Sequence, residues 1–187
     1  MINTGLDRFE KADVNSFTTN ISMKIRKTIN RPWRGLVKCF TKRKIIIEKY
    51  PKLDKDKAHI FAANHSFDED ETSIISAIDR NAYLLHGYAH QMEHNPMFYA
   101  AYLNGMIYVD RLDKQSRKAA VSKMERVLKA GNSVILFPEG GYNNTENHLI
   151  TPLFSSPYIL SKKQQIEVVP IIAFCKEETR EIFIRAG

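Results

Sequence analysis

Short apolar runs alternate along the chain with longer segments whose apolar residues recur at helical spacing. The apolar runs predict strands at residues 45–47, 60–63, 82–85, 107–109, 134–137 and 168–174. Helical spacing predicts helices over residues 71–79, 92–103, 114–130 and 157–165. Strands that alternate with helices predict an α/β fold with a mostly parallel sheet flanked by helices.

A basic amphipathic segment precedes this pattern. Between residues 17 and 40, apolar residues recur at helical spacing among Lys and Arg residues, and Pro32 is expected to end or kink a first helix near Asn30 and open a second. The apolar stripe can enter a membrane interface, or it can pack on the body and leave the charges in water. We divide the chain into a membrane-associating helical segment, residues 1–42, and an α/β domain, residues 43–187.

The charge is concentrated in the same N-terminal part. The 187 residues carry a net charge of +7. Residues 1–57 hold 15 Lys and Arg against 6 Asp and Glu, whereas the remainder holds 13 against 15. This asymmetry predicts a polyanionic partner, either an anionic membrane surface or nucleic acid. Aromatic residues for base stacking are sparse there, Trp33 being the main candidate, so we expect the membrane and no nucleic acid.

The hydrophobic runs are too short to cross a bilayer, and the N-terminus lacks the layout of a signal peptide. Cys39 and Cys175 lack metal-type spacing and are expected to be reduced thiols. The sequence therefore predicts a peripheral protein at the cytoplasmic face of the membrane, without a transmembrane helix.

Residues suited to catalysis follow three of the predicted strands. His65 comes just after one strand, and Asp70 lies in the first turn of the next helix, where it can fold back, fix the tautomer of the imidazole and leave the other nitrogen as a base. Arg111 follows another strand and offers a fork of donors suited to phosphate. Glu139 and Gly140 follow a third. Because ligands bind beyond the carboxyl ends of parallel strands, we expect these residues at one edge of the sheet.

Three histidines at a spacing of four residues, His86, His90 and His94, could bind zinc if they shared one face of a helix. Gly87 is a poor residue for a helix interior, and His86 ends a predicted strand. We therefore expect no metal site, and a metal-dependent hydrolase is the less favoured alternative.

Four blocks occur in order along the chain. They are Asn64, His65 and Asp70 in the pattern Asn-His-x-x-x-x-Asp, residues 105–111 ending in Asp-Arg, Phe-Pro-Glu-Gly at residues 137–140, and Val-Pro-Ile at residues 169–171. This ordered set, over about residues 45–174, resembles the glycerolipid acyltransferase family, whose type member is 1-acyl-glycerol-3-phosphate acyltransferase. The family often continues the third block with Thr-Arg, whereas this chain has Gly141 and Tyr142, which removes one cationic phosphate contact and leaves the acceptor's head group open.

The resemblance implies an O-acyltransferase of phospholipid biosynthesis. In that family the histidine, here His65, is the general base on a glycerol hydroxyl, and the aspartate, here Asp70, orients it. The hydroxyl attacks an acyl thioester of coenzyme A or acyl carrier protein, with no metal or tightly bound cofactor. Arg111, Glu139 and Gly140 would bind the lysophosphatidate-like phospholipid acceptor. The alternative from another class is a non-catalytic peripheral lipid-binding protein of the same fold.

Overall fold

Seven strands and four helices make up the described part of the chain. The computed structural model describes residues 18–40, 43–78, 80–87, 105–145 and 150–187. The strands are β1 (Lys44–Lys49), β2 (Ile60–Ala63), β3 (Ala82–Gly87), β4 (Met106–Val109), β5 (Ser133–Leu136), β6 (Val168–Lys176) and β7 (Glu181–Ala186). The helices are α1 (Asn20–Phe40), α2 (Asp70–Ala77), α3 (Lys114–Lys129) and α4 (Ser156–Gln164). The six predicted strands are confirmed, as are three helices of the body; the helix predicted at residues 92–103 lies outside the described residues.

The strands form one sheet in the order β1-β7-β6-β2-β5-β3-β4. The strands β6, β2, β5, β3 and β4 are parallel, whereas β7 is antiparallel to β6 and pairs in parallel with β1. The predicted α/β fold with a mostly parallel sheet is therefore confirmed. Because parallel strands end at the same edge of a sheet, the segments that follow β2, β4 and β5 are neighbours in space.

Alternate residues of the central strands pack against opposite faces of the sheet. On β5, Val134 and Leu136 belong to the core under α3 and α4, whereas Ile135 belongs to the core under α2. Burial on both faces explains why residues 134–137 are all apolar.

The strand β7 was not predicted from the sequence. Its side chains alternate between buried and partly exposed, and Ile182, Ile184 and Ala186 are fully buried. Charged residues before and within this segment hide the alternation from a search for apolar runs. Its pairing with β6 is supported by the stacked rings of Phe174 and Phe183, whose centroids lie 5.0 Å apart.

The helix α1 continues across Pro32, so the prediction of two helices divided at this proline is wrong. A proline inside a helix lacks the N–H that would bond the carbonyl four residues earlier, here that of Thr28. Both Thr28 and Pro32 are exposed, so water can hydrate that carbonyl and the helix tolerates the lost bond. None of the described helices is long and apolar enough to cross a membrane.

Met23 and Arg26, rather than the isoleucine stripe, pack α1 on the body. Ile21, Ile25 and Ile29 are 74%, 56% and 53% exposed, so packing of this stripe on the body is not observed. Arg26 is buried: its guanidinium lies 3.6 Å from the centroid of the Tyr83 ring and donates to the Ala82 carbonyl at 2.9 Å.

Candidate active site

The chain leaves the sheet at Asn64, directly after β2. The side chain of Asn64 takes the place of a main-chain pairing with β6, because its amide donates to the Ala173 carbonyl at 2.9 Å and its oxygen accepts from the Ala173 N–H at 2.7 Å. This bridge ends β2 at a fixed point. His65, the next residue, therefore stands at the carboxyl edge of the sheet, as predicted.

Asp70 folds back from the start of α2 onto the imidazole of His65. The Asp70 carboxylate is fully buried, and its Oδ2 and Oδ1 atoms lie 2.9 Å and 3.1 Å from Nδ1 of His65. Oδ2 also accepts from the backbone N–H groups of Ser66 (2.8 Å) and Phe67 (3.3 Å). The same carboxylate thus closes the turn and orients the ring.

This geometry decides which nitrogen of His65 is basic. A carboxylate only accepts hydrogen bonds, so the proton of the neutral imidazole belongs on Nδ1. Both hydrogen bonds that the structure gives the ring use Nδ1, which leaves Nε2 as the basic atom. His65 lines a cavity, where Nε2 can take a proton from a bound hydroxyl group.

Glu139, in the segment after β5, supports the pair formed by His65 and Asp70, which we call the dyad. Its Oε1 accepts from the backbone N–H of His65 at 3.1 Å, and its Oε2 accepts from both the N–H and the Oγ1–H of Thr151 at 2.9 Å. Both carboxylate oxygens are therefore bonded to protein groups, and the side chain is only 9% exposed. The sequence predicts Glu139 at this edge of the sheet but does not predict its hydrogen-bond partners.

Arg111 lies in the same region, packed between two glycines. A Cβ atom at Gly87 would lie 2.9 Å from Nε of Arg111, and one at Gly140 would lie 3.3 Å from its Nη1. Gly140 also has a φ of +74°, a conformation that residues with side chains rarely adopt. The two glycines thus leave room for the guanidinium beside the loop that carries Glu139.

Two aromatic rings contact the His65 imidazole. The ring centroids of Phe137 and Tyr142 lie 4.6 Å and 4.0 Å from that of His65. Partial burial and, to a smaller extent, the nearby carboxylates of Asp70, Asp68 and Glu71 raise the pKa of Tyr142 to about 12. The sequence flagged Tyr142 only as a departure from the third block, so its contact with the base is new.

The dyad opens onto a cavity of about 760 Å³. Its polar lining includes Asp68, Glu71, His86, Arg111 and Arg117. Its apolar lining comes from the ends of β3 and β4 and from α3, α4 and their neighbouring loops, and includes Leu85, Val109, Ala120, Val121, Met124, Phe154 and Ile159. A site with one polar end and one apolar wall suits an amphipathic ligand.

Of the three histidines considered for zinc, the structure describes His86, while His90 and His94 lie outside the described residues. His86 belongs to β3, and its Nδ1 lies 3.0 Å from Oε1 of Glu71. Across the ranges that the structure covers, no three His, Cys, Asp or Glu side chains are grouped as metal ligands.

A histidine oriented by a buried carboxylate, in the lining of a largely apolar cavity, is an arrangement that can activate a hydroxyl group on an amphipathic molecule. The family model described as Acyltransferase matches residues 44–183. The chain therefore belongs to the acyltransferase family and is an acyltransferase, which confirms the resemblance stated from the four blocks.

A solved structure supports the fold. The 1-acyl-sn-glycerophosphate (LPA) acyltransferase PlsC from Thermotoga maritima is similar with a TM-score of 0.67 and 17% sequence identity. The similarity covers 98% of this chain and 77% of that chain. No curated protein matches the chain significantly.

Proposed function

We propose that this enzyme transfers a fatty acyl group from an acyl thioester to the free hydroxyl of a lysophosphatidate-like glycerolipid, in phospholipid biosynthesis. The observation that carries the proposal is the His65–Asp70 dyad at the mouth of a cavity with a polar end and an apolar wall. The donor is a thioester of coenzyme A or of acyl carrier protein, and the residues present require no metal or other cofactor for the transfer.

The reaction uses His65 twice. Nε2 takes the proton of the acceptor hydroxyl while its oxygen attacks the thioester carbonyl, and Asp70 stabilises the imidazolium that forms. Collapse of the tetrahedral intermediate forms the ester, breaks the carbon–sulfur bond and expels the thiolate. The thiolate then accepts the proton from Nε2, which restores the neutral histidine.

The remaining site residues bind the substrates. The apolar wall between α3 and α4 accommodates an acyl chain, because burying each methylene of the chain contributes about 0.8 kcal/mol. Arg111 provides a charged donor for the acceptor's phosphate. Glu139 accepts a hydrogen bond from the backbone N–H of His65 and so keeps the imidazole in place beside the bound acceptor.

The test is thiol release from palmitoyl-coenzyme A in the presence of a panel of lysophospholipids. His65→Ala should abolish transfer, and Asp70→Asn should lower turnover strongly, because a positioned general base is worth about 10²–10⁴-fold. Circular dichroism verifies that both variants fold. A folded His65→Ala protein with nearly wild-type turnover would contradict the mechanism.

We further propose peripheral attachment to an anionic membrane surface through α1, at the cytoplasmic face. Ile21, Ile25 and Ile29 form an exposed stripe at a spacing of four residues, and the exposed Lys24 and Lys27 flank it. Apolar side chains beside cationic ones suit the boundary between acyl chains and anionic headgroups.

Co-sedimentation with phosphatidylglycerol-containing vesicles tests this attachment. Ile25→Ser combined with Ile29→Ser should weaken binding at least tenfold, since burying one isoleucine contributes about 1.5–3 kcal/mol. Thr28→Ala, on the same exposed side of the helix, is the matched control and should bind like the wild type. Binding that neither the double substitution nor added salt reduces would exclude α1 as the anchor.

A further inference from the structure

Two carboxylates lie at the polar end of the cavity, next to the catalytic base. Asp68, in the turn after His65, is exposed, and Glu71 belongs to the first turn of α2. Both line the cavity. Tyr142 lines the same cavity, and Glu71 lies 3.0 Å from Nδ1 of His86. An acceptor whose hydroxyl reaches His65 therefore places its head group among acidic side chains.

The electrostatic field at Tyr142 opposes further negative charge. The pKa of Tyr142 is raised by partial burial and by Asp70, Asp68 and Glu71, because these groups disfavour a phenolate at this place. A phosphate monoester, with about −1.5 to −2 charges near neutral pH, would meet the same repulsion at Tyr142. The face of the Tyr142 ring and the Asp68 carboxylate instead suit a cation.

Cationic side chains line the same cavity from another element. Arg111 follows β4, and Arg117 lies one turn into α3 and donates a hydrogen bond to the Arg111 carbonyl. The cavity therefore presents arginines from the segment around β4 and α3, and carboxylates from the segment around α2. A ligand that satisfies both sets carries a negative and a positive charge on one head group.

We propose that the acceptor is a zwitterionic lysophospholipid, whose phosphate is a diester to an amino alcohol. The phosphodiester faces Arg111, and the ammonium lies against Asp68 and the Tyr142 ring. This inference rests on the proposed function, since it concerns the head group of the same acceptor. It departs from a phosphate monoester such as lysophosphatidate as the preferred substrate.

Acceptor kinetics with the full chain and palmitoyl-coenzyme A test the inference. Lysophosphatidylethanolamine carries the ammonium, lysophosphatidylglycerol has a phosphodiester without it, and lysophosphatidate has the monoester. We expect kcat/KM for the ethanolamine lipid to exceed that for lysophosphatidate about 5- to 30-fold, with the glycerol lipid between them, because a cation beside an aromatic ring and a carboxylate is worth about 1–2 kcal/mol.

Asp68→Asn is the decisive variant, because an asparagine side chain has nearly the same size and shape as aspartate but carries no charge. It should lower the ratio of kcat/KM for the ethanolamine lipid to kcat/KM for the glycerol lipid about tenfold. Tyr142→Arg should shift the preference towards lysophosphatidate, since it brings a cation to the place of the ring.

The possible outcomes separate the inference from the proposed function. Equal or better use of lysophosphatidate by the wild type overturns the zwitterionic acceptor and leaves acyl transfer intact. A preference for the ethanolamine lipid that survives Asp68→Asn overturns the role of Asp68 and with it the inference. Absence of transfer to every lipid in the panel contradicts the proposed function itself, and the inference falls with it.

Discussion

Replacing Glu139 with Gln removes one acceptor oxygen from the point where three segments of the chain meet. Glu139 accepts from the His65 N–H through Oε1 and from two donors of Thr151 through Oε2. A glutamine side chain has one oxygen and one NH₂ group, so it cannot accept at both ends. The NH₂ group of the glutamine must then face the backbone N–H of either His65 or Thr151, which leaves two hydrogen-bond donors opposite each other.

The structure sets the expected magnitude. Because Glu139 is buried, water does not freely replace the lost acceptor, and an unsatisfied buried donor costs about 1–3 kcal/mol. In a chain of this size about 1 kcal/mol lowers Tm by about 2–4 °C, so we expect a fall of about 2–12 °C. Misplacement of a catalytic group by about 1 Å can cost about 10²-fold, so kcat should fall about 10- to 100-fold.

The assay is steady-state thiol release with the donor and the acceptor varied in turn, together with thermal unfolding. A loss in kcat, with both KM values changed less than about threefold, would show that Glu139 positions the base. Thr151→Val is the matched control, because it keeps the backbone N–H and loses only one hydroxyl donor, worth about 0.5–1.5 kcal/mol. If Glu139→Gln keeps kcat and raises only the acceptor KM, Glu139 binds the acceptor directly, as the resemblance implies.

Two further predictions concern the cavity. Arg111→Ala should lower kcat/KM for the acceptor about 10- to 150-fold, because it removes a charge-assisted contact worth about 1.5–3 kcal/mol. Arg111→Lys should recover part of this loss, and neither substitution should change hydrolysis of the donor. An equal loss for donor and acceptor would instead assign Arg111 to the fold. Because the folded-state pKa of Tyr142 is raised from 10.0 to about 12, protonated Tyr142 stabilises the fold below pH 10, and this contribution is lost as the pH rises through 12. In thermal unfolding, the Tm of the wild type should therefore fall relative to that of Tyr142→Phe as the pH rises from 10.0 to about 12. A difference between the two Tm values that stays constant over this range would refute the raised pKa.

The body of the fold was predictable because its strands are buried on both faces. Such strands appear in the sequence as apolar runs, and the run at β5 predicts a strand of the buried parallel kind. The strand β7 was not predicted, because it lies near the edge of the sheet and its buried residues alternate with partly buried or exposed ones, two of which are charged. The amphipathic pattern of α1 left open whether its isoleucines face a membrane or the body. In the structure they are exposed, and Arg26 packs on Tyr83.

The site was predictable only as far as chain order determines it. His65, Arg111, Glu139 and Gly140 each follow a strand, and parallel strands bring their ends to one edge. The partners of Glu139 could not be predicted, because Thr151 lies on another loop and meets the carboxylate only in the folded chain. The roles assigned to these residues in substrate binding stay predictions until the kinetics above are measured.

The spacing between His65 and Asp70 has a geometric cause that also bears on specificity. Asn64 bridges to β6 and ends β2 at a fixed point, and Asp70 begins α2, where a carboxylate is favoured by the helix dipole. Since Asp70 also accepts the N–H groups of Ser66 and the next residue, adding or removing one residue in the turn would break both the turn and the dyad. The side chain of Asp68 takes no part in either. We therefore expect that a substitution of Asp68 changes the enzyme's preference among acceptor head groups and leaves the position of the base and the transfer chemistry unchanged.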